Sequence, residues 1–134
     1  MIDKIDKKLI KKYTLKIGQV YFYENFFVAE INEGITLNFE KSAILFELAQ
    51  MHYTDKTPFV CISNRKNSYS FEPTSHFKSE KLFPNLKGFA AVIYDDISKE
   101  VASLEQAFIN KIPSRIFYSL KDAIDWVDEL IVSH

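Results

Sequence analysis

Between residues 64 and 70 the chain reads Asn-Arg-Lys-Asn-Ser-Tyr-Ser, directly after the apolar run TPFVCIS. Arg65 offers a planar fork of donors that grips a carboxylate or phosphate through two parallel bonds. Lys66 adds a second cation, and Asn64, Asn67 and Tyr69 add neutral donors and acceptors. Pro73 follows, where a proline suits the first turn of a helix. The free N–H groups and dipole of a helix start favour an anion. Segment 63–72 is therefore a candidate recognition or switch surface, with Asn64, Arg65, Lys66, Asn67 and Tyr69 as candidates for binding a ligand or partner. Ser68 and Ser70 are the candidate phosphate acceptors, since that helix start would stabilise the added charge. The competing reading is structural. Asn, Ser and Arg hold long loops together through bonds to the backbone, and Tyr69 and Phe71 would pin the loop to the core.

The remaining inventory argues against catalysis. Gly18, Gly34 and Gly88 are far apart, and no nucleotide fingerprint occurs. His52, His76 and His134 stand alone, without metal-ligand spacing, so neither a metal nor a cofactor is expected. Cys61 sits inside PFVCIS and reads as a small buried strand residue rather than an activated nucleophile. Asp95-Asp96 resemble paired carboxylates, but capping a helix accounts for them. No reaction constellation can be assembled, so an enzyme is the third-ranked reading.

These residues need elements to position them. Leu15–Tyr23 and Phe26–Asn32 are rich in β-branched and aromatic residues, and Glu24-Asn25 between them reads as a hairpin turn. Ile35-Thr36-Leu37 is a short strand. Asn38 caps a helix from Phe39 to about Tyr53, with Ala43, Ile44, Leu48 and Met51 as its apolar face. Pro58 opens a third strand, Phe59–Ser63. A helix is expected over 73–82. Lys87–Tyr94 is nearly all apolar, as in a strand covered on both faces. Asp95 or Asp96 caps a helix with Ile97, Val101, Leu104 and Phe108 on one side. Ser114–Tyr118 is the last strand. Ser119 caps a final helix whose buried stripe is Leu120, Ala123, Ile124, Val127 and Leu130, flanked by Trp126. The order predicts an α/β domain of about five strands and four helices. Its sheet is mixed and mostly parallel, with an antiparallel hairpin on the N-terminal side.

Length and composition set the limits. At 134 residues the chain is one domain, large enough to fold without disulfides or metal. Residues 1–12 form a basic N-terminal segment with five lysines, and 13–134 the domain. Net charge is −1, which argues against a nucleic-acid partner. No apolar run approaches a membrane span, and no secretory signal is visible at the start. The lone cysteine fits a reducing cytoplasm. Twelve phenylalanines and seven tyrosines call for a crowded core, an interface or an apolar cavity.

From about Tyr13 the order of elements resembles the STAS/SEC14-like superfamily, which includes the anti-sigma-factor antagonists, and within it small bacterial STAS-like proteins. The resemblance rests on FFVAEINEGITLNFEKSA, on ISNRKNSYSFEP and on RIFYSLKDAIDWV. It implies a βα superhelix with helices mainly on one face of the sheet. In the antagonists a serine at the start of the helix after this strand is phosphorylated by a partner kinase. Ser68 and Ser70 are the nearest positions here, although the Asp, the serine pair and the Gly of that turn have no counterpart. If helices cover one face only, some rings of Tyr21, Tyr23, Phe26 and Phe27 are left exposed, an invitation to a homodimer or protein partner. The leading expectation is a non-enzymatic, regulatory protein-interaction module. The alternative is a binder of a small anionic or lipid-like ligand near the same loop.

Overall fold

The computed structural model describes residues 6–54, 56–67, 69–71, 83–109 and 111–132, and of residues 70 and 71 the backbone alone. The expected helix over 73–82 and the candidate Ser68 lie outside the described residues.

The first part of the chain is a three-stranded antiparallel meander. Strands β1 (Lys11–Leu15), β2 (Gly18–Phe22) and β3 (Phe26–Ile31) pair in sequence. Glu24-Asn25 makes the second turn, as the sequence predicts, with Tyr23 N–H bonded to Phe26 O at 2.9 Å. The first turn breaks what reads as one continuous strand over 15–23. It falls at Lys16-Ile17 because Gly18 takes φ +151°, where a Cβ would collide with the backbone carbonyl of Glu30. β4 (Thr36–Leu37) is short, and Asn38 then caps α1 (Phe39–His52) by accepting from Lys41 N–H at 2.8 Å.

Three parallel strands complete the sheet: β5 (Phe59–Asn64), β7 (Leu86–Val92) and β8 (Ser114–Phe117). The order is β1-β2-β3-β5-β7-β8, while β4 pairs separately with β6 (Ser70–Phe71). Helix α2 (Asp96–Gln106) follows β7 and α3 (Leu120–Val132) follows β8. The domain is thus α/β with one mixed six-stranded sheet and, among the described residues, three helices.

The strand order explains where the helices lie. The parallel strands are added in one direction, so right-handed crossovers put their helices on one face. That face carries Phe22, Phe27 and Phe59 under α1, and Phe89, Ala91 and Ile93 under α2. Helix α3, after β8, crosses the opposite face. There Ala123, Ile124, Trp126 and Val127 pack on Val60, Ile62, Ala90 and Val92. Small residues permit the approach: a Cβ on Gly88 would stand 2.7 Å from Leu130 Cδ1 and 3.1 Å from the Trp126 ring.

Three side-chain expectations are corrected. Tyr21, Tyr23, Phe26 and Phe27 are all buried. Phe27 packs in the layer under α1, the other three in the layer closed by α3. Segment 6–10 runs beside that helix, with Lys7 Nζ 2.9 Å from Asp128, so these rings leave no patch for a second copy. In α1 the buried residues are Ser42, Leu45, Leu48 and Ala49, while Ile44 and Met51 are exposed. The helix is apolar on two sides, and the aromatic sheet face selects one of them. In α2 the buried residues are Ser98, Ala102 and Glu105, while Ile97 and Leu104 are exposed.

A half-buried polar contact anchors the end of α1. His52 stacks on Phe22 with centroids 4.2 Å apart, and its Nε2 meets Tyr13 OH at 2.8 Å. Burial first, and Lys11 second, lower its pKa below the usual 6.5. The folded state therefore favours neutral His52. Its contribution is present above about pH 6.5 and is lost as pH falls, because the unfolded chain takes up the proton first. Urea midpoints should decline between pH 8 and pH 5, and a His52→Gln variant should show a shallower decline. Gly88→Ala should cost about 1–3 kcal/mol in the same unfolding measurement, because Leu130 can swing aside but the packed indole cannot.

Candidate functional site

Alternation along β5 decides where its polar end points. Residues two apart in a strand share a face. Cys61, Ser63 and Arg65 turn towards the α1/α2 side, and Ile62 and Asn64 towards the α3 side. The strand end thus feeds two different environments.

On the α1/α2 side Arg65 is not a free anion grip. It is 2% exposed, and its Nη2 forms a close ion pair with Glu105 Oε1. The contact is short but poorly aligned as a hydrogen bond, and Nη1 has no hydrogen-bond partner among the described residues. Nε donates to Ser63 Oγ at 3.2 Å. Tyr69 folds inward as well. Its OH lies 2.6 Å from Ser63 Oγ, and the Arg65 guanidinium sits 5.4 Å from its ring centroid. Burial pushes the Tyr69 hydroxyl up to about 12 despite the opposing pull of Arg65. Burial also pushes the Cys61 thiol up to about 12; Glu105 adds to the shift and Arg65 offsets part of it. Cys61 therefore stays a thiol, a poor nucleophile.

On the α3 side Asn64 is a buried connector. It donates to Glu30 Oε2 at 2.8 Å and accepts from Tyr94 OH at 2.6 Å. Lys66 is exposed, 4.0 Å from the same Glu30 carboxylate. Asn67 is exposed too, and its side chain donates to Ile31 O at 3.2 Å. Only Lys66 and Asn67, of the five binding candidates, face solvent. Ser70 belongs to β6, where its backbone pairs with Thr36.

The connection directions open a crevice here. The chain leaves β7 for α2 on one face and leaves β8 for α3 on the other. Adjacent connections that diverge in this way form the usual ligand crevice of an open α/β sheet, beyond the carboxyl ends of the strands. A groove of about 810 Å³ occupies this position, lined by Asn64, Lys66, Tyr94, Tyr118, Ser119 and Lys121 among others. That volume lies within the usual range for ligand sites. Tyr94 is exposed and Tyr118 is 66% exposed. Lys99 of α2 stands 6.0 Å from the Tyr118 ring centroid. Both helix starts are capped: Asp95 accepts from Ser98 N–H at 2.7 Å, and Ser119 from Asp122 N–H at 3.1 Å. On α2, Ile97 is 69% and Leu104 65% exposed, and Ile97 stands beside Asn67 and Tyr69.

Sequence reasoning missed Glu105, Tyr94 and Tyr118. A signal existed for the tyrosines, since each stands between the end of a strand and a capping residue, in Tyr94-Asp95 and Tyr118-Ser119. Glu105 had no such signal, because its burial depends on Arg65, forty residues away in sequence. Among the described residues no three His, Cys, Asp or Glu side chains gather where a metal could be held. No helix among them is long and apolar enough to cross a membrane. No family model, curated protein or solved structure matches the chain.

Removing the cation from beneath α2 tests the inward role of Arg65. Arg65→Ala should cost about 3–5 kcal/mol in chemical denaturation, because it withdraws the matching charge from buried Glu105. Lys66→Ala, at the exposed neighbouring position, should change stability by less than about 0.5 kcal/mol.

Proposed function

We propose that the domain is a non-enzymatic, STAS-like protein-interaction module of regulatory type. Its recognition surface is the crevice between the β7 and β8 connections together with the exposed side of α2. One observation carries this reading: exposed Tyr94 and Tyr118 line the crevice, and Ile97 and Leu104 lie on the surface of α2, the helix that starts just after Tyr94. Large apolar side chains gathered in this way mark a contact surface rather than scattered exposure. Tyrosines at such a site supply much area at little cost in conformational entropy. The polar edge is balanced, with Lys7, Lys66 and Lys121 set against Asp6, Asp125 and Asp128, and Lys121 paired with Asp125 at 2.9 Å. The occupant that fits is an apolar segment of a partner protein.

The small-anion alternative loses its main support, because the charge of Arg65 is met by Glu105 inside the fold. The loop's share in recognition passes to Lys66 and Asn67. Peptides selected from a random library for binding to this protein should be enriched in apolar residues. Their amide chemical-shift perturbations should centre on Asn64, Tyr94, Ile97 and Tyr118. Tyr118→Ala combined with Ile97→Lys should weaken binding at least about tenfold, as loss of a contact centre does, with melting temperature little changed. Perturbations centred elsewhere, or affinity unmoved by the double substitution, would overturn the assignment.

A further inference from the structure

A cavity of about 80 Å³ lies between α1 and the sheet face that carries Cys61 and Ser63. It is separate from the surface proposed above. Its wall is apolar, with rings such as Phe27 and Phe59 and the methyl of Ala49, except where Ser42, Ser63 and Tyr69 stand. The Ser63 and Tyr69 hydroxyls share one hydrogen bond of 2.6 Å. Ser63 Oγ also accepts from Arg65 Nε. The pair owns two hydroxyl protons, and the shared bond uses one. If Tyr69 donates, the Ser63 proton is left over; if Ser63 donates, the Tyr69 proton is left over. Neither has an acceptor among the described residues, and both residues line the cavity. A buried donor without an acceptor is costly, so an acceptor is expected in the space it faces.

The surroundings narrow the chemistry of that acceptor. Arg65 is neutralised by Glu105, which leaves no surplus positive charge for an anion. A buried water needs about three polar partners, and largely apolar cavities stay dry. The volume is roughly half that of the engineered cavity of about 150 Å³ that takes benzene. A guest of about three to five heavy atoms fits. We infer that the cavity is a binding site for a small, neutral, mostly apolar molecule whose single carbonyl or ether oxygen accepts from the Ser63–Tyr69 hydroxyl pair.

The probes are butan-2-one and its hydrocarbon counterpart 2-methylbutane, added to the full chain. So small a guest should bind in about the millimolar range, well short of the ligand-efficiency ceiling. At ten times its dissociation constant the ketone should raise the melting temperature by about 5 °C. It should also slow modification of Cys61 by a thiol reagent, because Cys61 lines the same cavity. Relative to their partitioning from water into an alkane, the cavity should favour the ketone over the hydrocarbon by at least about fivefold, the worth of one hydrogen bond. Ala49→Leu should fill the cavity and abolish both effects. Ser63→Ala combined with Tyr69→Phe should erase the ketone's advantage over the hydrocarbon; retained preference in that variant overturns the hydroxyl assignment. Failure of both probes to shift melting or protect Cys61, or undiminished binding to Ala49→Leu, overturns the cavity as a site. A ketone-to-hydrocarbon affinity ratio in the unsubstituted protein no higher than that of water–alkane partitioning overturns the requirement for an acceptor oxygen.

Discussion

A buried cation has to be matched by an anion at its own depth, and the charge on Arg65 imposes that demand on the upper end of the sheet. The residue follows a strand whose residues on that side are Cys61 and Ser63, alongside Phe89, Ala91 and Ile93 on the same face. The match comes from Glu105, which obliges α2 to present its Ser98, Ala102 and Glu105 side to the sheet. Because the helix turns that side inward, Ile97 and Leu104 face out. The exposed apolar surface is thus a consequence of the ion pair. Tyr69 is drawn into the same cluster by Ser63 and by the guanidinium, and it closes the end of the cavity beneath α1. One electrostatic requirement shapes both the outer surface and the inner space.

The second constraint is geometric. Strands added in one direction place α1 and α2 on the same face, so the opposite face depends on the last helix. α3 approaches closely because Gly88 and Ala90 leave room for Trp126 and Leu130. Its start must then leave β8 in the direction opposite to the start of α2. The crevice between Tyr94 and Tyr118 is the space these two departures leave, with the carboxyl end of β5 at its floor through Asn64. Asn64 bonds both Glu30 of β3 and Tyr94 after β7, so it ties together the strands on either side of it.

Local signals in the sequence were strong wherever backbone chemistry decides structure. Asn38, Asp95 and Ser119 cap helices as their residue types suggest, and Glu24-Asn25 turns the hairpin. The run KGFAAVIY is covered on both faces, as its lack of alternation implies. Signals failed where a distant partner decides. Helix α2 carries two plausible inner sides one residue apart, 97/101/104/108 and 98/102/105, and hydrophobicity favours the first. The sheet face selects the second because Arg65 waits there. The same contingency governs α1, where Leu45 and Ala49 are taken and Ile44 and Met51 are left out. The turn at Lys16-Ile17 was hidden because Gly18 was read as a strand residue, although its positive φ is what ends the pairing. For the site, the sequence located the right stretch but not its direction. Polarity at a strand end says that something must be satisfied, not whether the partner is inside or outside.

Stability alone does not account for Arg65 and Glu105. A well-packed apolar pair in place of a buried ion pair is often neutral or stabilising, because removing two charges from water costs more than is commonly regained. Arg65 keeps Nη1 without a hydrogen-bond partner among the described residues, so even the existing geometry is not fully compensated. Position is the better account. An apolar pair would let α2 settle with either of its two candidate sides inward, and the more hydrophobic side would be preferred. The charge pair admits one setting only, since rotating α2 would leave Arg65 without Glu105. That setting puts Ile97 and Leu104 outside, Tyr94 and Tyr118 at the crevice, and Ser63 with Tyr69 at the cavity end. On this account the arrangement gives up some stability at the carboxyl end of the sheet and in return fixes which side of α2 faces outward.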